Sequence, residues 1–309
     1  MALLATNKRR YTLSVKSNIE SFMSGFLSAN ISKWNRLFLL EISAKIRLRQ
    51  RKLLRLDIHL ADHCNLNCKG CEHLSPLAEE KFLAIETFER DCKRITALTG
   101  GHIEEISLLG GEPLLHPRII DIIEIARKYF PVGRIQIATN GILLLKQSEL
   151  FWETLNKNNI RLNITVYPIK IDHTEIYRLS KKHKVEIVYW GNLKQMKKVW
   201  EKMPIDIQGK QDSQKSFKLC YAANHCFQLV DGKIYPCFRV AYIHYFNKKF
   251  GINLEVGEND YIDLYKAQTI EKILKFLCKA VPFCRYCNME RAVYKEWAVS
   301  KKEIDEWTE

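Results

Sequence analysis

The chain has 309 residues, 47% hydrophobic and 27% charged, with only 13 Gly and 8 Pro; that is apolar material for one large core with a smaller appendage, and it excludes a disordered or fibrous protein. No run approaches the ~18 apolar residues of a membrane-spanning helix, and Lys8, Arg9 and Arg10 followed by a polar stretch do not make the apolar core of a secretory signal. Ten cysteines in such a chain read as metal ligands in a reducing cytoplasm, not as a disulfide framework.

The net charge of +14 is unevenly placed. Residues 1–55 hold twelve Lys and Arg against Glu20 and Glu41, so the rest of the chain carries only +4. Leu27, Ile31, Trp34, Phe38, Ile42 and Ile46 recur at helical steps, with Lys33, Arg36, Lys45, Arg49 and Lys52 mostly on other faces. Residues 1–54 are therefore predicted as a basic amphipathic helical arm, packed on the body or in peripheral contact with an anionic membrane such as the inner membrane surface. No nucleic-acid-binding module is recognisable, and no nucleic-acid partner is expected.

From Arg55 the pattern is α/β. Strands are predicted at Leu56–Ala61, Ile103–Leu109, Arg134–Ala138, Ile160–Val166 and Val185–Tyr189, and helices at Ile85–Leu98, Pro117–Tyr129, Gln147–Asn156 and Thr174–Lys182. This alternation implies right-handed βαβ units on a parallel sheet. Five or six units over residues 55–200 suit a partial (β/α)6 TIM-type barrel, whose chemistry gathers at the loops after the strands.

The first of those loops is Cys64-x3-Cys68-x2-Cys71. A structural zinc site would need a fourth ligand, for which His63 and His73 lie nearby. A [4Fe-4S] cube on three cysteines keeps one iron open. The next two loops carry Gly110-Gly111-Glu112-Pro113 and Thr139-Asn140-Gly141. Together these motifs resemble those of the radical S-adenosylmethionine (SAM) enzymes. The resemblance implies that the open iron chelates SAM, that an electron from the cluster splits it to methionine and a 5′-deoxyadenosyl radical, and that a flavodoxin or ferredoxin is the reductant. It also implies that Gly110, Gly111, Glu112 and Pro113 bind the methionine amino group, with Thr139, Asn140 and Gly141 in the same SAM region. Many members have an aromatic residue before the third cysteine, where this chain has Gly70. Glu72, His73 and Ser75 follow the loop as candidate active-site groups or as plain loop polarity.

Residues 201–219 are polar and poorly periodic and read as a linker or substrate-facing loop. Beyond them come Cys220, Cys237, Cys284 and Cys287, with a hairpin from Phe227 to Cys237 turning at Asp231-Gly232. The spacing over residues 220–290 resembles the twitch domain, a shortened relative of the SPASM domain. That implies one auxiliary [4Fe-4S] cluster on these four cysteines, with a closed zinc site as the alternative and Cys226 as a substitute for Cys220. Cys92 and Cys278 read as buried thiols. Gln268–Lys279 and the tail from Asn288 to Trp307 look helical, the latter as a C-terminal helix over 291–309.

The expected function is hydrogen-atom abstraction from a saccharide, aminocyclitol or surface-polysaccharide precursor. Oxidation follows if the auxiliary cluster accepts an electron; epimerisation follows if a cysteine donates hydrogen, for which Cys226 is the candidate. A maturase acting on a ribosomally made peptide is the competing reading, and a non-catalytic metal-binding protein engaging nucleic acid is a third.

Overall fold

Leu53–Ala61 (β1) sets the pattern for the whole sheet. Leu56, Ile58 and Leu60 enter the core, while Arg55, Asp57 and His59 take the other face, as the two-residue period of a strand requires. A computed structural model of the chain describes residues 52–193 and 199–309, so the basic arm expected over 1–54 lies outside the described residues up to position 51. The same alternation holds in Ile103–Gly110 (β2), Arg134–Thr139 (β3) and Ile160–Thr165 (β4), and Ile187–Trp190 (β5) completes the parallel run.

Four helices cover the apolar face: Ile85–Thr99 (α1), Ile119–Tyr129 (α2), Glu149–Lys157 (α3) and His173–His183 (α4). In α1 the buried residues Ile85, Phe88, Cys92 and Ile95 fall at three- and four-residue steps, and the helix stops at Gly100 in the left-handed region (φ 63°). Ser148 caps α3 by accepting from Phe151 N, and Asp172 caps α4 by accepting from Glu175 N. Strand order is β5-β4-β3-β2-β1, each new strand beside the last, as in a barrel wound in one direction.

Beyond β1 the sheet continues without a sixth βα unit. Gln228–Val230 (β7) lies parallel to β1, then Lys233–Tyr235 (β8) and Ile262–Asp263 (β9) follow antiparallel. The predicted hairpin is present, and both turn residues have positive φ, Asp231 at 47° and Gly232 at 72°, as a tight two-residue turn requires. The buried Asp91 of α1 fastens this hairpin to the barrel, accepting from Gly232 N at 2.7 Å and from the Tyr265 hydroxyl at 2.5 Å.

Two expectations need correction. The tail is not a helix: Val293–Glu296 (β10) pairs antiparallel with Val199–Lys202 (β6), and only a 3₁₀ turn at Ile304–Glu306 follows. β-Branched and aromatic residues there find a strand partner, which outweighs local helix preference. Residues 201–219 are not a free linker, because Met203, Pro204 and Ile205 are buried, Ile205 bridges to Cys287 and Thr308, and Asp212 caps the helix Ser213–Leu219 (α5). The short helix Ala222–His225 (α6) comes next, and after Cys237 the chain forms Phe238–Phe250 (α7), which periodicity does not reveal. Eight of its residues, including Arg239 and Tyr242, are buried, so no apolar stripe stands against a polar face. The helix expected near 268–279 runs from Ile270 to Leu277 (α8).

Candidate active site

The loops after β1, β2 and β3 are tied together by side chains. Glu112, fully buried, accepts from Thr139 Oγ1 at 2.7 Å, Asn140 N at 3.0 Å and Leu114 N at 3.1 Å. Its carboxylate is thus spent inside the chain, and burial pushes its pKa up to about 7 against those bonds. Asn140 in turn donates from Nδ2 to Asn65 Oδ1 at 2.7 Å and reaches Cys64 Sγ at 3.8 Å. Gly110 (φ 143°) and Gly111 allow the crossing: a Cβ would stand 2.2 Å from Ala61 O in the first case and 2.1 Å from His63 O in the second. Pro113 opens a 3₁₀ turn behind them, and Gly141 turns at φ 84°. All seven residues expected around SAM therefore lie in two adjoining loops beside the three-cysteine loop.

Within that loop, Leu66 N points at Cys64 Sγ at 3.4 Å, and backbone N–H groups of His73 and Ser75 point at Cys71. Burial first, and then Glu112 and the neighbouring thiols, push Cys64 up to about 12, and burial with Cys68 pushes Cys71 up to about 11. Tyr167, in the segment after β4, hydrogen-bonds Cys68 and feels all three thiols, a neighbour no spacing rule announces. The tail straps the loop from outside: Lys69 N donates to Ala298 O at 2.8 Å, Gly70 N to Glu306 Oε2 at 3.2 Å, and Trp307 Nε1 to Cys71 O at 2.9 Å. Gly70 replaces the expected aromatic for a steric reason. Its φ is 58°, and a Cβ there would sit 2.2 Å from Cη2 of Trp200 on β6.

Of the polar residues after the loop, Glu72 is paired with Arg239 of α7, and Met203 N donates to its other oxygen at 3.2 Å. His73 Nδ1 meets His59 Nε2 at 2.7 Å; His59 Nδ1 donates to Asp62 at 3.1 Å, and Tyr245 donates to the other Asp62 oxygen at 2.6 Å. Ser75 is buried without a side-chain partner among the described residues.

Cys220, Cys237, Cys284 and Cys287 form a second set, in which Cys237 feels the other three thiols and Cys284 feels Cys220 and Cys287. Burial pushes Cys220 up to about 12, and Arg239 Nη1 donates to Cys287 Sγ at 3.6 Å. Cys226 stands at the edge of this set, where it also feels Cys220. It lies by Asp57, Arg55 and Glu105, low on the inner face of the barrel, where Glu105 accepts from Arg55 at 3.3 Å, Arg134 at 3.2 Å, Arg161 at 3.4 Å and Gln136 at 3.1 Å. That layer joins the N-terminal halves of the strands, the end opposite the motif loops, where such bonding serves stability. Cys92 is buried in the core, and Cys278 is half-buried at the end of α8.

Residues 58–191 match the model of the radical SAM superfamily. The GTP 3′,8-cyclase of Alkaliphilus oremlandii is 30% identical over 132 residues, covering 42% of this chain and 40% of that protein. A probable GTP 3′,8-cyclase of Pyrococcus abyssi is 35% identical over 114 residues, covering 37% and 36%. The chain therefore spans about two-fifths of the length of these curated relatives. Among solved structures, BtrN in complex with AdoMet and 2-DOIA aligns with a TM-score of 0.50 and 18% identity over 76% of this chain and 93% of that one, which is a likeness of fold.

The superfamily uses a [4Fe-4S] cluster and SAM, and the first thiol set fits that pair. Cys64 and Cys71, whose protonated state burial favours, would release protons to a metal, as thiolate ligation requires. Among the described residues no three thiol, imidazole or carboxylate groups gather as they would around one metal ion; in a cube each cysteine takes a different iron. Cys64, Cys68 and Cys71 would hold the cluster, and the loops at 110–113 and 139–141 adjoin the loop that carries these cysteines. The match to the radical SAM superfamily model spans all three of these loops, so residues 58–191 carry a radical SAM domain.

Proposed function

We propose that this chain carries out SAM-dependent hydrogen-atom abstraction from a saccharide or aminocyclitol-type substrate, with a second [4Fe-4S] cluster on Cys220, Cys237, Cys284 and Cys287. The observation that carries the reading is the joining of three motif loops by Glu112 and Asn140 at one end of the barrel, with a four-thiol set linked to the same cysteine loop through Glu72 and Arg239. When bound, the cluster and SAM supply one-electron chemistry at an unactivated C–H bond. The chain's own part is to bind, orient and exclude. The fold neighbour BtrN, solved with AdoMet and 2-DOIA, supports the same class.

The test is anaerobic reconstitution with iron and sulfide counted in the wild type, in Cys64/Cys68/Cys71→Ala and in Cys220→Ser and Cys226→Ser, with 5′-deoxyadenosine formation assayed alongside. Two cubes predict ~8 Fe in the wild type and in Cys226→Ser, and ~4 Fe with no 5′-deoxyadenosine in the triple variant. Cys220→Ser should weaken only the second cluster. Zinc in place of iron, with no SAM cleavage, would overturn the reading. A panel of amino sugars, aminocyclitols and short peptides then separates substrate classes, and consumption of a peptide alone would replace the saccharide by the maturase.

A further inference from the structure

Arg239 and Glu72 make one contact chain between the two thiol sets. Arg239 is 2% exposed, donates from Nη1 to Cys287 Sγ at 3.6 Å, and is ion-paired through Nη2 with Glu72, the residue directly after Cys71. The pair is held from both ends, since Met203 N donates to Glu72 at 3.2 Å and Arg239 lies in the first turn of the buried helix α7. The charges are ordered along this line. The guanidinium also acts on Cys220 and Cys237, while the carboxylate follows Cys71 in the chain. A buried ion pair costs desolvation that well-packed apolar residues would avoid, so its retention between two metal-ligand sets calls for a role other than stability.

Resting on the two-cluster reading above, we propose that the Glu72–Arg239 pair sets the relative reduction potentials of the two sites, with Arg239 as a positioning residue that raises the potential at Cys220/Cys237/Cys284/Cys287 and Glu72 opposing it near Cys71. The physical reason is electrostatic. Reduction adds one negative charge to a cluster, which a neighbouring guanidinium and a hydrogen bond to a ligand sulfur stabilise and a neighbouring carboxylate destabilises. In a dry interior the two effects are weakly screened. The bias favours an electron on the second site over the first, the direction that a net substrate oxidation needs.

The measurement is an EPR-monitored redox titration of the second cluster in the Cys64/Cys68/Cys71→Ala background, where no other cube remains. Arg239→Met should shift its midpoint potential down, and Glu72→Gln should shift it up. Each is expected to change the reduced-to-oxidised ratio at fixed ambient potential by about tenfold, which for one electron is about 59 mV. Arg239→Lys, keeping the charge, should shift less than Arg239→Met. Shifts of one sign in both variants, or none, with ~4 Fe retained would overturn the inference and leave the two-cluster reading standing. If Arg239→Met fails to hold iron, Glu72→Gln decides alone: an unshifted potential rejects the proposal. Absence of iron in the triple-Ala background itself would reject the second cluster, and the inference with it.

Discussion

Asn140 donates from Nδ2 to Asn65 Oδ1 at 2.7 Å, so the loop after β3 is pinned to the cysteine loop after β1 across 75 positions of sequence. The same side chain reaches Cys64 Sγ and accepts from Ile142 N at 2.9 Å, which leaves it one orientation. Asn140→Ala removes the tether without removing a thiol. A hydrogen bond of this kind contributes about 1 kcal/mol net, and the loss of alignment adds to it. SAM affinity of the reconstituted protein, measured by equilibrium dialysis, should fall roughly tenfold, with iron content at the first site retained.

Glu112 makes the stability of the ligand-free protein depend on pH. Burial raises its pKa from 4.5 to about 7, so the folded state binds the proton more tightly than the unfolded state. The contribution is fully present below pH 4.5 and is lost as pH rises through about 7. Chemical denaturation at several pH values should show the wild type losing about 3 kcal/mol relative to Glu112→Gln across that window. A difference that is flat with pH would show that Glu112 stays ionised throughout.

Trp307 packs against Phe246 and Phe250, is 1% exposed, and donates to Cys71 O at 2.9 Å. Trp307→Ala should cost about 3–5 kcal/mol, from the cavity and the lost bond together. Trp307→Phe restores much of the packing and none of the hydrogen bond, and should cost about 1–2 kcal/mol. Thermal denaturation gives the stability. Bleaching of the cluster absorbance in air should be faster in both variants, since both loosen the strap on the cysteine loop.

At position 70 any side chain meets Trp200 and the Glu306 carbonyl, at 2.2 Å and 2.8 Å from a built Cβ, in a backbone region with φ 58°. Gly70→Ala should therefore destabilise the protein by roughly 1–3 kcal/mol. Trp200→Leu introduced with it should recover part of that loss, because the ring clash is relieved while the backbone strain and the Glu306 contact remain. Equal losses in the single and double variants would assign the cost to the backbone strain and the Glu306 contact together.

Much of this protein is determined locally. The first thiol set lies within eight residues, so its spacing carries the chemistry wherever the loop is placed, and the alternation of β1 to β4 with α1 to α4 follows from periods of two and about 3.6 read directly from side-chain polarity. Glycines 110 and 111 are legible for the same reason, since a motif position without Cβ marks a close backbone approach. What the tertiary structure decided involves residues far apart in sequence or buried on every side. Helix α7 is silent because burial all round erases its stripe, and the tail becomes a strand only because β6 stands ready to pair with it. The filling of the space at Gly70 by Trp200 and the pairing of Glu72 with Arg239 depend on which side chains the fold brings within a few ångströms. Spacing rules act along the chain, whereas hydrogen bonds, ion pairs and steric exclusion act through space; the three-cysteine loop was therefore readable in sequence, and the groups that pack against it were not.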